Sequence, residues 1–442
     1  MWNFDLPFIL ANANLPADLN LFIYWLFMEI FSILFIAALL LSLFTQLWLS
    51  RRQSIAVSKH RSNVPEAFAE QITPEQHQKA ADYTLAKLSV NKIELVYGAV
   101  LLVAWTLGGG LNLMDTFFRS FAYSEILTGL VVIFGFMFIS AVLDLPFTLY
   151  RTFKIEQRFG FNRMTALQFI KDMLIQTMLS LVLFVPLFAG ILWLMQDASS
   201  FWWVYVWVVI LSFGLLISWI FPTFIAPLFN KFEPLEDETL RERITKLMDR
   251  CGFASNGIFV MDGSKRSSHG NAYFTGLGKN KRIVFFDTLL ETLDANEVEA
   301  VLAHELGHFK HHHVRKGLIL SAALTFVSLA LLAWLIKQDT FYHALGASNP
   351  STYMALILFI LVTPLFSIYL QPVMSFISRK HEFEADDFAA VQSQPQTLIK
   401  ALVKLYRDNA NTLTPDTLYS AFHDSHPPAP VRVAHLSAKI TQ

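Results

Sequence analysis

Seven long apolar blocks dominate this chain, and no soluble fold accommodates them. They run roughly over 21–49, 93–113, 125–149, 167–195, 201–228, 317–337 and 352–378. Each is long enough to cross a hydrocarbon core of ~30 Å as a helix. Composition agrees: 54% of the 442 residues are hydrophobic and only 16% are charged, where an ordinary soluble domain carries about 25% charged residues. Residues 1–20 hold no Lys or Arg, and the first block is far longer than a signal-peptide core, so it reads as a retained span.

The loops set the orientation. Segments 1–20, 114–124, 196–200 and 338–351 hold a single Lys or Arg between them, Arg119, whereas 50–92, 150–166, 229–316 and 379–442 hold 31. Basic loops stay on the cytoplasmic side. The N-terminus is therefore expected outside, with the C-terminus and both large polar segments cytoplasmic. A net charge of −1 supplies no basic excess for phosphates, so no nucleic-acid partner is expected. Cys251 is the only cysteine and rules out an intrachain disulfide.

Four regions follow: a membrane domain with spans one to five (1–228), a first polar segment (229–316), spans six and seven (317–378) and a polar tail (379–442). The first polar segment opens with a charged helical stretch, Glu236–Arg250. Apolar strand-like runs, Gly257–Met261 and Arg282–Phe286, then flank a Gly- and Ser-rich stretch. The tail carries helical patterns at 395–410 and 414–423 and a last short helix after Pro427-Pro428. The expected fold is an all-α membrane protein of seven transmembrane helices, with a cytoplasmic catalytic domain that contains a small β-sheet.

The chemistry concentrates in His304-Glu305-Leu306-Gly307-His308. Two histidines four apart lie one turn from each other on one helix face, so both rings reach a single ion, and Glu305 lies close enough to act on water there. A catalytic zinc needs a third protein ligand. Glu382 is the best candidate, Glu384 is a rival on the same grounds, and a solvated acidic helix face is the plain alternative for both. Asp386, one turn beyond Glu382, suits a hydrogen bond to the outer nitrogen of a ligand histidine. His311, His312 and His313 point in different directions on a helix, so they read as a wet helix end rather than a second metal site.

Glu297, Glu299, Lys310, Arg315 and Lys316 around the motif exclude a lipid-buried position. His308 lies nine residues before Gly317, where the sixth span begins, or about 13 Å of helix rise. Glu382 lies four residues past the seventh span, or about 6 Å. Each ligand helix is thus expected to continue a transmembrane helix.

The chain resembles the type I CAAX prenyl proteases, seven-span zinc endopeptidases. Beside the zinc motif, the resemblance rests on Phe153–Asn162 (FKIEQRFGFN), Pro227–Phe232 (PLFNKF), Ser267–Gly276 (SSHGNAYFTG), and Ser425-His426-Pro427-Pro428 followed by Arg432. It implies that Glu382, first Glu of an Arg-x-x-Glu-x-x-Ala-Asp pattern, is the third zinc ligand. It further implies a barrel of tilted helices around a water-filled chamber. Asn271, Ala272 and Tyr273 are implied to form an edge strand that pairs with substrate, and His426 and Arg432 to lie near the scissile carbonyl. The implied partners are the bilayer and a peptide or protein substrate, with a lipidated C-terminus among the candidates. Two further readings are a quality-control protease for membrane proteins and a membrane scaffold or channel with a vestigial zinc site. The latter gives no reason for Glu305 beside an intact ligand set.

Overall fold

In the computed structural model the described residues are 17–197, 200–253, 255, 257–275 and 281–440; the N-terminal segment 1–16 and Gly276 lie outside them. Among these residues, seven helices are long and apolar enough to cross a membrane: Met28–Lys59, Pro74–Trp105, Glu125–Phe159, Ala166–Gln196, Trp202–Leu228, His313–Leu335 and Thr352–Gln392. Helices satisfy their backbone groups internally, which a bilayer requires. Much of their apolar surface faces outward, as at Phe44, Phe138, Val182, Phe224 and Val327, while Val132, Leu192, Leu332, Tyr353 and Leu358 pack the interior of the bundle.

Two spans depart from expectation. The second stops at Trp105 instead of running to 113, and a separate helix begins at Gly110. The cause is the run Gly108-Gly109-Gly110, in which Gly109 takes φ +76°, a left-handed turn that glycine adopts without penalty. The sixth span is also not continuous with the histidine helix. The histidine helix Ala295–Lys310 ends at Lys310, His312 sits at φ +56°, and the span starts afresh at His313. The seventh does continue: only the tight turn Ile368–Leu370 interrupts the path from Thr352 to Gln392.

The polar segments fold together. Strands β1 (Phe232–Pro234), β2 (Ile258–Met261), β3 (Ala272–Thr275) and β4 (Arg282–Phe286) form a sheet in the order β1-β2-β4-β3. Strands β2 and β4 are parallel, and β3 lies antiparallel to β4 at an edge. Around the sheet pack α1 (Glu238–Arg250), α2 (Ala295–Lys310), α3 (Gln371–Gln392), α4 (Pro395–Asp408) and α5 (Ala429–Ile440). Their core contains Ile244 and Leu247 of α1, Phe285 of β4, Leu302 and Leu306 of α2, Ala401 of α4 and Leu436 of α5. Helix α2 starts at a reciprocal cap, in which Asp294 accepts from the Glu297 amide and Glu297 from the Asp294 amide.

Ion pairs dock this unit on the bundle. Arg266 reaches Asp172 of the fourth span at 2.7 Å, and Asp416 reaches Arg52 of the first at 2.9 Å. At the end of the third span, Glu156 accepts from Tyr83 at 2.5 Å and lies 3.5 Å from His269. The His269 ring stacks on Phe161. Two of the sequence blocks, Phe153–Asn162 and Ser267–Gly276, therefore meet at the junction between bundle and polar unit.

Candidate metal centre

Three donors converge where α2 crosses α3. His304 Nε2 and His308 Nε2 are 3.2 Å apart, His308 Nε2 is 3.3 Å from Glu382 Oε1, and His304 Nε2 is 3.5 Å from Glu382 Oε2. Donors at ~2.0–2.1 Å from a tetrahedral ion stand about 3.3 Å from one another. The three residues are a group that could hold a metal ion. Glu382 is buried, and its Oε2 has no hydrogen bond of proper geometry although His426 Nδ1 lies 2.8 Å away. A buried carboxylate oxygen without a proper donor, facing two imidazole nitrogens, suits a cation.

Helix α3 carries more than one acid of the site. Asp386, fully buried, lies 2.8 Å from His304 Nδ1, which turns the other ring nitrogen toward the cluster. Glu384 points away: its Oε2 is 2.9 Å from His313 Nε2. Burial and Arg432 oppose a charged His304, but the carboxylates of Asp386 and Glu382 beside its two nitrogens outweigh them and push its pKa up to about 9 in the metal-free chain.

Arg432 stands behind the cluster. It is 5% exposed, donates from Nε and Nη2 to the two oxygens of Asp386 at 2.9 and 2.5 Å, and leaves Nη1 3.6 Å from Glu382 Oε2. This bidentate pair is the strong geometry for a guanidinium on a carboxylate. His426, by contrast, is exposed and borders a polar cleft of about 500 Å³ that Lys87, Arg151, Tyr406 and Asp424 also line. Glu305 is half-buried and makes no hydrogen bond or ion pair among the described residues. Ala272 and Tyr273 lie on edge strand β3, paired with Phe285 and Val284, and Asn271 precedes them, its carbonyl accepting from Phe286.

The sequence reading missed two residues. Gly307 lets the helices meet, since a Cβ there would lie 2.8 Å from Ala385 Cα. A glycine inside a helical metal motif is itself a signal of close backbone approach. His313 is 6% exposed and hydrogen-bonded on both ring nitrogens, so the expected wet helix end is wrong at this position. Nothing in the spacing announces it, because the break at His312 redirects the ring.

A seven-helix membrane bundle that carries such a cluster on a His-Glu-x-x-His helix defines a membrane metallopeptidase. Two family models divide the chain: a CAAX prenyl protease N-terminal domain of five membrane helices matches 53–231, and peptidase family M48 matches 234–440. The chain belongs to that family, among its CAAX prenyl protease 1 members, and is a metalloendopeptidase. It is 32% identical to CAAX prenyl protease 1 of Saccharomyces cerevisiae over 98% of both chains. It is 35% identical to the Dictyostelium discoideum homologue over 92% of this chain and 97% of that one, and 41% identical to the Arabidopsis thaliana homologue over 69% and 72%. The crystal structure of S. mikatae Ste24p superposes with a TM-score of 0.86 at 31% identity, covering 92% of this chain and 98% of that one.

Proposed function

We propose that the chain is a zinc endopeptidase that cleaves near the C-terminus of prenylated proteins at the cytoplasmic membrane face. The observation that carries it is the convergence of His304 Nε2, His308 Nε2 and Glu382 within 3.2–3.5 Å, beside a Glu305 that pairs with none of the described residues. Zinc fits this donor set, two imidazoles and one carboxylate with a fourth position left for chemistry. Residues 229–316 and 379–442 build the catalytic unit, and 1–228 and 317–378 build the membrane part.

His304, His308 and Glu382 would hold the ion, and Asp386 would fix the His304 tautomer. When bound, zinc supplies Lewis acidity that activates water near neutral pH and polarises the scissile carbonyl. Glu305 takes the proton of the attacking water as the C–O bond forms, then delivers it to the departing amine nitrogen as the C–N bond breaks. His426 reaches in from the open cleft to donate to the oxyanion, a contribution of the order of 10²–10³ in turnover. Arg432, its Nε and Nη2 committed to Asp386, acts from behind by holding that carboxylate and facing Glu382. Asn271, just before β3, and Ala272 and Tyr273 on it offer the outer edge of the sheet to an extended peptide.

Two further observations support the substrate class. The full-length relatives are named as CAAX prenyl proteases. An apolar cavity of about 720 Å³ opens among spans four to seven, and it reaches Met374 on the Glu382 helix and Gly317 just beyond His313. Such a cavity suits a lipid chain whose peptide enters the cluster. Elemental analysis of purified protein tests the ligand set: wild type and Glu384→Ala at excess metal should carry one zinc per chain, and Glu382→Ala should carry little. The reverse pattern moves the ligand to Glu384.

A further inference from the structure

The two histidines of the cluster are held by different partners. His304 reaches a carboxylate directly, Nδ1 to Asp386 at 2.8 Å. Among the described residues no acid reaches the Nδ1 of His308. Its Nδ1 lies 3.0 Å from Nδ1 of His313, whose Nε2 in turn lies 2.9 Å from Glu384 Oε2.

With both rings neutral, the hydrogens have one consistent arrangement. Glu384 as a carboxylate can only accept, so His313 Nε2 carries the hydrogen. A neutral His313 then presents a lone pair at Nδ1, which accepts the hydrogen of His308 Nδ1. That leaves His308 Nε2 unprotonated, pointing at His304 and Glu382. The opposite tautomer of His313 would set a lone pair against a carboxylate and place the His308 hydrogen at Nε2, inside the cluster. We propose that His313 and Glu384 form a relay that fixes the ring and tautomer of His308 for metal binding, so that His313 is a positioning residue for the metallopeptidase. The proposal rests on His308 being a metal ligand.

Two independent features support it. His312 takes φ +56°, a conformation that is uncommon for a residue other than glycine and that persists only where its surroundings enforce it. It is this turn that folds the chain back. On an unbroken helix, residues five apart face different sides, whereas here the rings of His308 and His313 meet with centroids 5.1 Å apart. The His313 ring is then clamped. It stacks on His381 at 4.0 Å and 13°, and lies nearly parallel to His311 at 5.6 Å. Helix α3 would thus govern all three ligands: Glu382 itself, His304 through Asp386, and His308 through Glu384 with His381 steadying the intermediate ring.

The relay makes a chemical demand on position 313: one acceptor toward His308 and one donor toward Glu384. Phenylalanine keeps the ring and loses both, whereas glutamine loses the ring and keeps both. The test is the dissociation constant for Zn²⁺ of full-length protein in detergent, measured by competition with a chelator. Loss of an outer partner of a metal ligand weakens binding about 10–100-fold. His313→Phe should fall in that range, Glu384→Ala should weaken binding about tenfold, and His313→Gln should recover most of the affinity. A merely structural role predicts the opposite ranking, with Phe the milder change. Glu384→Ala alters a partly exposed side chain and reads the same relay if His313→Phe does not fold. Wild-type affinity in both His313→Phe and Glu384→Ala overturns the relay, as does a Gln variant no better than Phe. Glu382→Ala, measured alongside, separates the two readings: if it loses zinc while the relay variants keep it, the ligand set stands and the relay falls.

Discussion

Gly307 on the histidine helix touches the backbone of Ala385 on the glutamate helix, and a Cβ on Gly307 would lie 2.8 Å from Ala385 Cα and 3.1 Å from its carbonyl oxygen. This contact sits midway between the donors, one residue before His308 and three after Glu382. It therefore sets the distance between the two imidazoles and the carboxylate of the cluster.

Gly307→Ala should separate α2 and α3 by several tenths of an ångström. Overpacking costs about 1–3 kcal/mol, and the better helix propensity of alanine returns about 1 kcal/mol, so the fold should survive with a small loss. The metal site should not. Zinc affinity should drop at least tenfold, and peptidase activity should drop with it. Gly98→Ala, inside the second span, where nothing lies within 4 Å of the added Cβ, is the matched control. Chelator competition on the two variants checks the contrast; equal affinities would remove Gly307 from the design of the site.

The pH dependence of metal binding follows from His304. Its pKa is raised to about 9 in the metal-free chain, against burial and Arg432, by the carboxylates of Asp386 and Glu382 beside it. A raised pKa means that the proton stabilises the metal-free fold fully below the ordinary value of about 6.5, and that this stabilisation is lost as pH climbs through about 9. Metal and proton compete for the same ring, so zinc should displace a proton at pH 7.5 and apparent affinity should rise up to tenfold per pH unit, levelling above about 9. Calorimetry in buffers of different ionisation enthalpy counts the released proton. No release at pH 7.5 would mean that His304 is already neutral.

Orientation in the membrane rests on basic residues, 31 on one side of the spans and one on the other. In a Cys251→Ser background, Ser348→Cys in the loop between spans six and seven should react with an impermeant thiol reagent on intact cells. Ser437→Cys should react only after permeabilisation. Both positions are exposed. Gly346 in the same loop would be a poor choice, since it sits at φ +81° with a Cβ position 2.3 Å from the Thr106 carbonyl. Reversed labelling would place the cluster on the other face.

What was legible in the sequence had a physical period or a hard length behind it. Spanning helices need about 20 apolar residues, and the seven blocks returned as seven helices. The i, i+4 spacing of His304 and His308 survives because it depends only on local helix geometry. The misses are places where the chain turns. The second span breaks at Gly108–Gly110, a signal present in the sequence but outweighed by its apolar setting. The break at His312 uses neither Gly nor Pro, so no composition rule marks it, and with it the burial of His313 went unseen. Arg432 read as a residue near the scissile carbonyl. Only tertiary contact discloses its bidentate hold on Asp386.

The role proposed for Glu305 is to supply the base for hydrolysis on a metal held by His304, His308 and Glu382. Zinc content and peptide cleavage measured together on Glu305→Gln test it most directly. The variant should carry one zinc per chain, bind a prenylated C-terminal peptide as the wild type does, and lose nearly all turnover, because the ligands remain and the base is gone. Cleavage at the wild-type rate by a zinc-loaded Glu305→Gln protein would contradict it.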